Sequence, residues 1–432
     1  MPANTTATVQ PARSVHGTIH IPGDKSISHR YAMLAAIARG SSRFHNFSAA
    51  RDCASTLGCV AQLGASWHRA DEGAIEVSGV EPTLHAPAAA LDCGNSGSTM
   101  RMLSGILAGQ SFASELFGDE YLSRRPMARI IKPLSEMGAR ITSSEAGRPP
   151  LKIQGGKLRA IQYKPEVASA QVKSCVLFAG LFADGETSVD EPIRTRDHGE
   201  LALRAFGAEV EHRGNIASIR GGQTLTAIEA HVPGDLSSAA FFLCAAALFP
   251  GSQLSLPGIL MNPTRARLLD ILIQMGLKIT AGQIEQQHGE LVGAIEARGA
   301  TWKGGTIAGA DTAALIDEIP VLAAVAPYTQ NGLEVRDARE LRVKESDRIA
   351  AVATNLRKMG AEVEERPDGL RIPGGQKLHG TEVDSFGDHR IAMAFAVAAL
   401  RAEGETLIHG ADAAGVSYPK FFDDLRAVTI AG

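Results

Sequence analysis

The sequence predicts a mixed α/β fold (α+β within each unit) built from six similar units, three in each of two domains. Three observations predict it. The chain has 432 residues, more than one compact core usually holds. A polar turn running into a small apolar helix recurs about every 65–80 residues, a longer period than most solenoid repeats have. An Xaa-Gly pair also closes a second, amphipathic helix after each of the first five such helices.

Four of the helix entrances open on glycine with a polar neighbour: GDKSISH from Gly23, GNSGSTM from Gly94, GDLSSAA from Gly234 and GDHRIAM from Gly387. Each runs through a small apolar helix to a glycine, as in AAIARG and SGILAG. SAQVKSCVLFAGLFADG from Ser169 and IDEIPVLAAVAPYTQNG from Ile316 share the helix and its stop but not the glycine entry. The second helices end at LGASW, MGARI, FGAEV, MGLKI and MGAEV, beginning at Leu63, Met137, Phe206, Met275 and Met359. Glycine there is in the C′ position, where the chain turns left-handed. Alternating stretches such as ETSVDEP and LEVRDAREL read as strands. The domain join is expected near HVPGDLSS, about residue 234. The strand HGTIHIPG can pair with either half, and the start MPANTTATVQPARS reads as a frayed tail, too polar for a secretory signal.

Bulk composition narrows the function. A net charge of −4 gives no global basic field for nucleic acid or an anionic membrane. Aromatic residues at 5% leave few platforms for base stacking. No stretch is long and apolar enough to span a bilayer. The five cysteines lack zinc or disulfide spacing and read as reduced thiols of a cytosolic protein.

The polar residues at the helix entrances carry the chemistry. Lys25, His29 and Arg30 crowd a helix start, where the dipole favours anions. Each misplaced cation costs about 0.3–1 kcal/mol unless something negative sits beside it. Gly94, Asn95 and Gly97 leave a turn whose backbone N–H groups can approach an anion. Ser169 and Gln171 offer neutral donors, Asp317 and Glu318 a carboxylate pair, and His389 and Arg390 further cations. Arg124 and Arg125, Arg194 and Arg196, and Lys344 with Glu345 and Arg348 lie in connecting segments. Any one cation could simply be salt-bridged, Arg348 by Asp347 or Arg30 by Asp24. Repetition at equivalent places favours a small ligand with several phosphates or carboxylates, held where the helix starts of the two halves converge. Asp317 and Glu345 among these cations suit general acid/base work or, alternatively, charge balance alone. The sequence has no GxxxxGK[ST], strand-following GxGxxG or GxSxG.

In GDKSISHR, GNSGSTMR, RRPMARIIKPL, SAQVKS, IDEIP, RVKESDR and GDHRIAM, taken in order, the chain resembles the 5-enolpyruvylshikimate-3-phosphate synthase family, the 3-phosphoshikimate 1-carboxyvinyltransferases. The resemblance implies the two-domain enolpyruvyl transferase fold, six βαβαββ units, with domains 23–234 and 1–22 plus 235–432 closing over the substrates. It implies transfer of the enolpyruvyl group of phosphoenolpyruvate to shikimate 3-phosphate, with no cofactor and no metal, in a cytoplasmic monomer without nucleic-acid or membrane partners.

By motif, Lys25, Ser26, Arg30, Ser169, Ala170, Gln171, Arg196, Asp317 and Lys344 would meet shikimate 3-phosphate. Lys25, Gly97, Arg125, Gln171, Glu345, Arg348 and Arg390 would meet phosphoenolpyruvate. Asp317 would assist deprotonation of the 5-hydroxyl, Glu345 would handle the proton at the methylene carbon, and Lys25 would complete the catalytic set. The chain departs from the better-known bacterial pattern at Val416, where a lysine is usual, at Ala170 for serine and at Glu340 for asparagine. Lys420 is not given the missing lysine's role. These departures resemble the second sequence branch of the family, the one with glyphosate-tolerant members. Retention of Gly97 nevertheless implies that glyphosate competes with phosphoenolpyruvate. A transferase acting on UDP-N-acetylglucosamine fits less well, because ELFGDEYLSRRPMA lacks the reactive cysteine usual there. A noncatalytic anion-binding repeat protein would not need Asp317 and Glu345.

Overall fold

The computed structural model describes residues 5–80 and 83–432. The chain divides into two compact units, one of residues 23–232 and 286–290, the other of 1–22, 233–285 and 291–432.

The unit of residues 23–232 repeats one sheet plan three times. In spatial order its four-stranded sheets are Glu229–His231, Ser41–His45, Ile75–Ser78, Ser66–Arg69; then Leu91–Asp92, Ala113–Phe117, Arg148–Gln154, Arg140–Ser144; then Gln162–Tyr163, Glu186–Asp190, Ile216–Arg220, Val210–Arg213. The first pair in each sheet is parallel and the rest antiparallel. A parallel pair needs a crossover, and the apolar helices Gly97–Ala108 and Ala170–Gly180 supply it in the second and third sheets. In the first sheet the parallel partner Glu229–His231 comes from the far end of the segment, so the chain returns to where it began.

The other unit carries the same device. Helix Ile319–Val325 joins parallel strands Gly305–Ile307 and Leu333–Val335, and helix His389–Ala399 joins Glu382–Asp384 and Thr406–His409. Its largest sheet orders Lys278–Gln287, Glu290–Arg298, Gln253–Leu260, Ala12–Thr18 and Thr429–Ala431. The strand expected at HGTIHIPG thus runs earlier, over Ala12–Thr18, and pairs with Gln253–Leu260 and Thr429–Ala431. The frayed-tail expectation is corrected from Thr6 onward. Thr6–Val9 is a strand antiparallel to Thr406–His409, because that strand offers a free edge for its hydrogen bonds. Residues 1–4 of that tail lie outside the described residues.

Start and stop signals act as their chemistry requires. Asp24, Ser96, Ser169, Asp235 and Asp388 cap five inner helices by accepting a first-turn N–H. Gly64, Gly138, Gly207, Gly276 and Gly360 all take φ between 91° and 113°, where a side chain would be strained. Helices Leu236–Ala247, Ile319–Val325 and His389–Ala399 are buried all round and pack on one another, which explains their lack of a polar face. Helix Gly97–Ala108 packs so closely on Ala170–Gly180 that a Cβ at Gly105 would lie 2.1 Å from Cys175 O. All five cysteines are free and buried.

Candidate active site

Lys25 and Ser26 open the helix Lys25–Ala36, and Arg30 follows one turn later, buried. The negative group beside Lys25 is Asp52, whose Oδ2 lies 2.8 Å from Nζ. Arg30 donates to Ser26 O (2.8 Å) and through Nε and Nη2 to Ser174 Oγ (3.2 and 2.9 Å). Burial pulls its pKa down to about 10, with Glu200 and Asp24 opposing that shift. His29, fully buried, accepts or donates at 2.7 Å to Thr56 Oγ1. Burial, and then the charges of Lys25 and Arg30, hold its pKa well below the ordinary 6.5.

The turn at Gly94 is braced by side chains. Asn95 donates to Asp119 Oδ2 and accepts from Arg125 Nη2, both at 2.8 Å. A Cβ at Gly97 would stand 3.0 Å from Arg101 Nη1 and 3.2 Å from Arg125 Nη1, so two guanidinium groups flank this helix start. Arg101 Nη1 also donates to Gln171 Oε1 (2.7 Å), and Gln171 Nε2 donates to Ser98 Oγ (2.8 Å). Ser169 caps the helix that Ala170 begins. The structure therefore brings Gly97, Arg125 and Gln171 into one cluster through Arg101. Arg196 lies half-buried in the segment between strand Glu186–Asp190 and helix His198–Ala205.

The remaining residues gather within the other unit. Asp317 Oδ1 lies 3.5 Å from both Lys344 Nζ and Arg348 Nη1. Arg348 Nη2 donates to Glu345 Oε2 (2.6 Å), and its Nε and Nη2 grip the two oxygens of Asp388 at 2.8 and 3.2 Å. Burial works against the charge of Arg348, which is 1% exposed, but Asp388, Glu345 and Asp317 more than offset it and raise its pKa. Asp347 caps the helix Arg348–Lys358 and pairs with Arg342, and the ion pairs of Arg348 run instead to Asp388, Glu345 and Asp317. Arg390 Nη1 donates to Asp317 O (2.8 Å) and lies 3.8 Å from Glu318 Oε1. Glu318 accepts from Ser237 Oγ, which in turn accepts from Arg265. Two carboxylates, Asp317 and Glu345, thus share one small space with Lys344, Arg348 and Arg390. Such a set can hold an anion and move a proton beside it.

Sequence reasoning missed Asp52, Arg101 and Asp388 as partners. Arg101 left a signal as the arginine that ends GNSGSTMR, and Asp388 as the helix-entry acid of GDHRIAM; Asp52 left none. Val416 is buried, and Lys420 precedes the helix Phe421–Val428. Among the described residues no cluster of three or more His, Cys, Asp or Glu could hold a metal, and no helix is long and apolar enough to cross a membrane.

Repeated crossover helices joining parallel strand pairs, with an acid pair among cations, match the two-domain enolpyruvyl transferase fold. The sequence pattern described as EPSP synthase (3-phosphoshikimate 1-carboxyvinyltransferase) matches residues 9–425, and the chain belongs to that family. A 3-phosphoshikimate 1-carboxyvinyltransferase of Koribacter versatilis is 64% identical over 420 residues, 97% of this chain and 98% of that protein. Its namesake in Solibacter usitatus is 56% identical over 97% of this chain and 99% of its own. The solved EPSP synthase of Acinetobacter baumannii superposes with a TM-score of 0.88 at 42% identity, covering 99% of this chain and 98% of that one.

Proposed function

We propose that the residues above serve the family's reaction as follows. The chain transfers the enolpyruvyl group of phosphoenolpyruvate to the 5-hydroxyl of shikimate 3-phosphate and releases phosphate, a step of the shikimate pathway towards aromatic amino acids. Lys25, Ser26, Arg30, Ser169, Ala170, Gln171, Arg196 and Lys344 hold shikimate 3-phosphate. Lys25, Gly97, Arg125, Gln171, Arg348 and Arg390 hold phosphoenolpyruvate, with the N–H groups at the Gly97 helix start adding donors. Asp317 takes the proton of the 5-hydroxyl as that oxygen bonds to C2 of phosphoenolpyruvate, while Glu345 delivers a proton to C3. In the second half, a proton leaves the new methyl group to Glu345 as the C2–O bond to phosphate breaks and the enol ether forms. The segments 23–234 and 1–22 plus 235–432 are the two three-repeat domains, and the enzyme works in the cytoplasm as a monomer.

The observation that carries this reading is the gathering of Asp317 and Glu345 around one arginine, Arg348, within contact of Lys344. Phosphate release from phosphoenolpyruvate, followed with shikimate 3-phosphate in one sample and UDP-N-acetylglucosamine in another, tests it. Release with the shikimate ester alone is expected, and release with the sugar nucleotide alone would overturn the substrate assignment.

A further inference from the structure

We infer that Thr195 is a positioning residue for the phosphate group of the shikimate substrate, acting through a buried ion triad under the segment that carries Arg196; this rests on the proposed role of Arg196. Lys173, only 1% exposed, sits between two equally buried carboxylates, 2.7 Å from Glu191 Oε2 and 2.8 Å from Glu200 Oε1. A lysine this deep is held by its partners, and each partner lies at one end of the Arg194–Asp197 segment. Glu191 closes the segment's start. Its carboxylate accepts from Thr195 N at 3.2 Å and from Thr195 Oγ1 at 2.5 Å, which ties down the residue directly before Arg196. Glu200 lies in the helix His198–Ala205 that ends the segment, and His198 at its start is 2.6 Å from Glu290 Oε1.

The same helix start is pressed on Arg30. A Cβ at Gly199 would lie 2.5 Å from Ser174 Oγ and 3.6 Å from Arg30 Nε, so only glycine permits this approach. Lys173 and Ser174 are neighbours, one anchoring the Arg196 segment and the other accepting from Arg30. The arrangement fixes where Arg196 stands relative to Arg30, two cations assigned to one substrate.

Steady-state kinetics on the full chain test this with Thr195→Val, Thr195→Ser and Arg196→Ala. Loss of a hydrogen bond to a buried carboxylate predicts that Thr195→Val raises KM for shikimate 3-phosphate about tenfold. KM for phosphoenolpyruvate and kcat should stay within about twofold, and Thr195→Ser, which keeps the hydroxyl, should restore the parent value. An unchanged shikimate 3-phosphate KM in Thr195→Val, with a raised one in Arg196→Ala, overturns the positioning role and leaves the site reading intact. An unchanged KM in Arg196→Ala shows that the role of Arg196 itself fails, and the inference with it. Equal rises for both substrates would mark a general loss of structure and also overturn it.

Discussion

Replacing Arg348 with lysine keeps a positive charge in the buried site but removes the planar fork. Arginine makes three short contacts there, two to Asp388 and one to Glu345, and a fourth at 3.5 Å to Asp317. A lysine ammonium can keep about one of the short ones. Bonds to charged groups contribute about 1.5–3 kcal/mol each, so two lost bonds amount to about 3–6 kcal/mol. Asp388 still accepts from Ser346 Oγ at 3.0 Å and Arg390 N at 2.9 Å, which favours the lower figure. About 3 kcal/mol corresponds to a fall of roughly 6–12 °C in Tm for a domain of some 200 residues. Glu345 loses its 2.6 Å anchor, and a general acid displaced by about 1 Å loses roughly 100-fold in rate. Thermal unfolding together with phosphate release at varied phosphoenolpyruvate would measure both. An unchanged kcat/KM for phosphoenolpyruvate alongside a lowered Tm would refute the idea that Arg348 serves the chemistry.

Glu345→Gln keeps the shape but cannot carry the proton, so kcat should fall about 10²–10⁴-fold, and loss of its charge beside buried Arg348 should lower Tm as well; a fall below tenfold in phosphate release would remove Glu345 from the proton path. Gly97→Ala places a methyl 3.0 Å from Arg101 Nη1 and 3.2 Å from Arg125 Nη1, so KM for phosphoenolpyruvate should rise severalfold with that for shikimate 3-phosphate unchanged. His29 is neutral in the fold and titrates near 6.5 when unfolded, so its contribution is intact above pH 6.5 and lost as the pH falls. Denaturant midpoints of His29→Gln should accordingly show a shallower slope below pH 6.5 than those of the parent. Glyphosate should raise the apparent KM for phosphoenolpyruvate without changing the limiting rate; inhibition independent of phosphoenolpyruvate would place it elsewhere.

Local signals in this chain were readable because they follow from backbone chemistry. The five C′ glycines stood out since a left-handed residue is needed wherever the second helix of a unit turns into its strand. The helix entrances stood out because Asp24, Ser96, Ser169 and Asp388 must satisfy N–H groups at the same place in each unit. What stayed hidden depends on distant pairing. Asp52 reads as an ordinary first-turn acid of its own helix, and only the fold sets it against Lys25. Asp388 looks like a cap alone, although it also grips Arg348 from 40 residues away. The strand Thr6–Val9 was misread as a tail because four residues without strong alternation carry no sign of the edge at Thr406–His409.

The pairing of Lys25 with Asp52, and of Arg348 with Asp388, bears on affinity as well as on stability. Each cation already has an anion of the protein's own in contact, so on the proposed assignment of both to phosphoenolpyruvate an arriving phosphate competes with a tethered rival. Substrate affinity is therefore a difference between two attractions, and trimming the rival alters it without touching the ligand's own contacts. An enzyme that must release inorganic phosphate on every turnover gains from this, since a departing anion leaves behind a site that can neutralise itself.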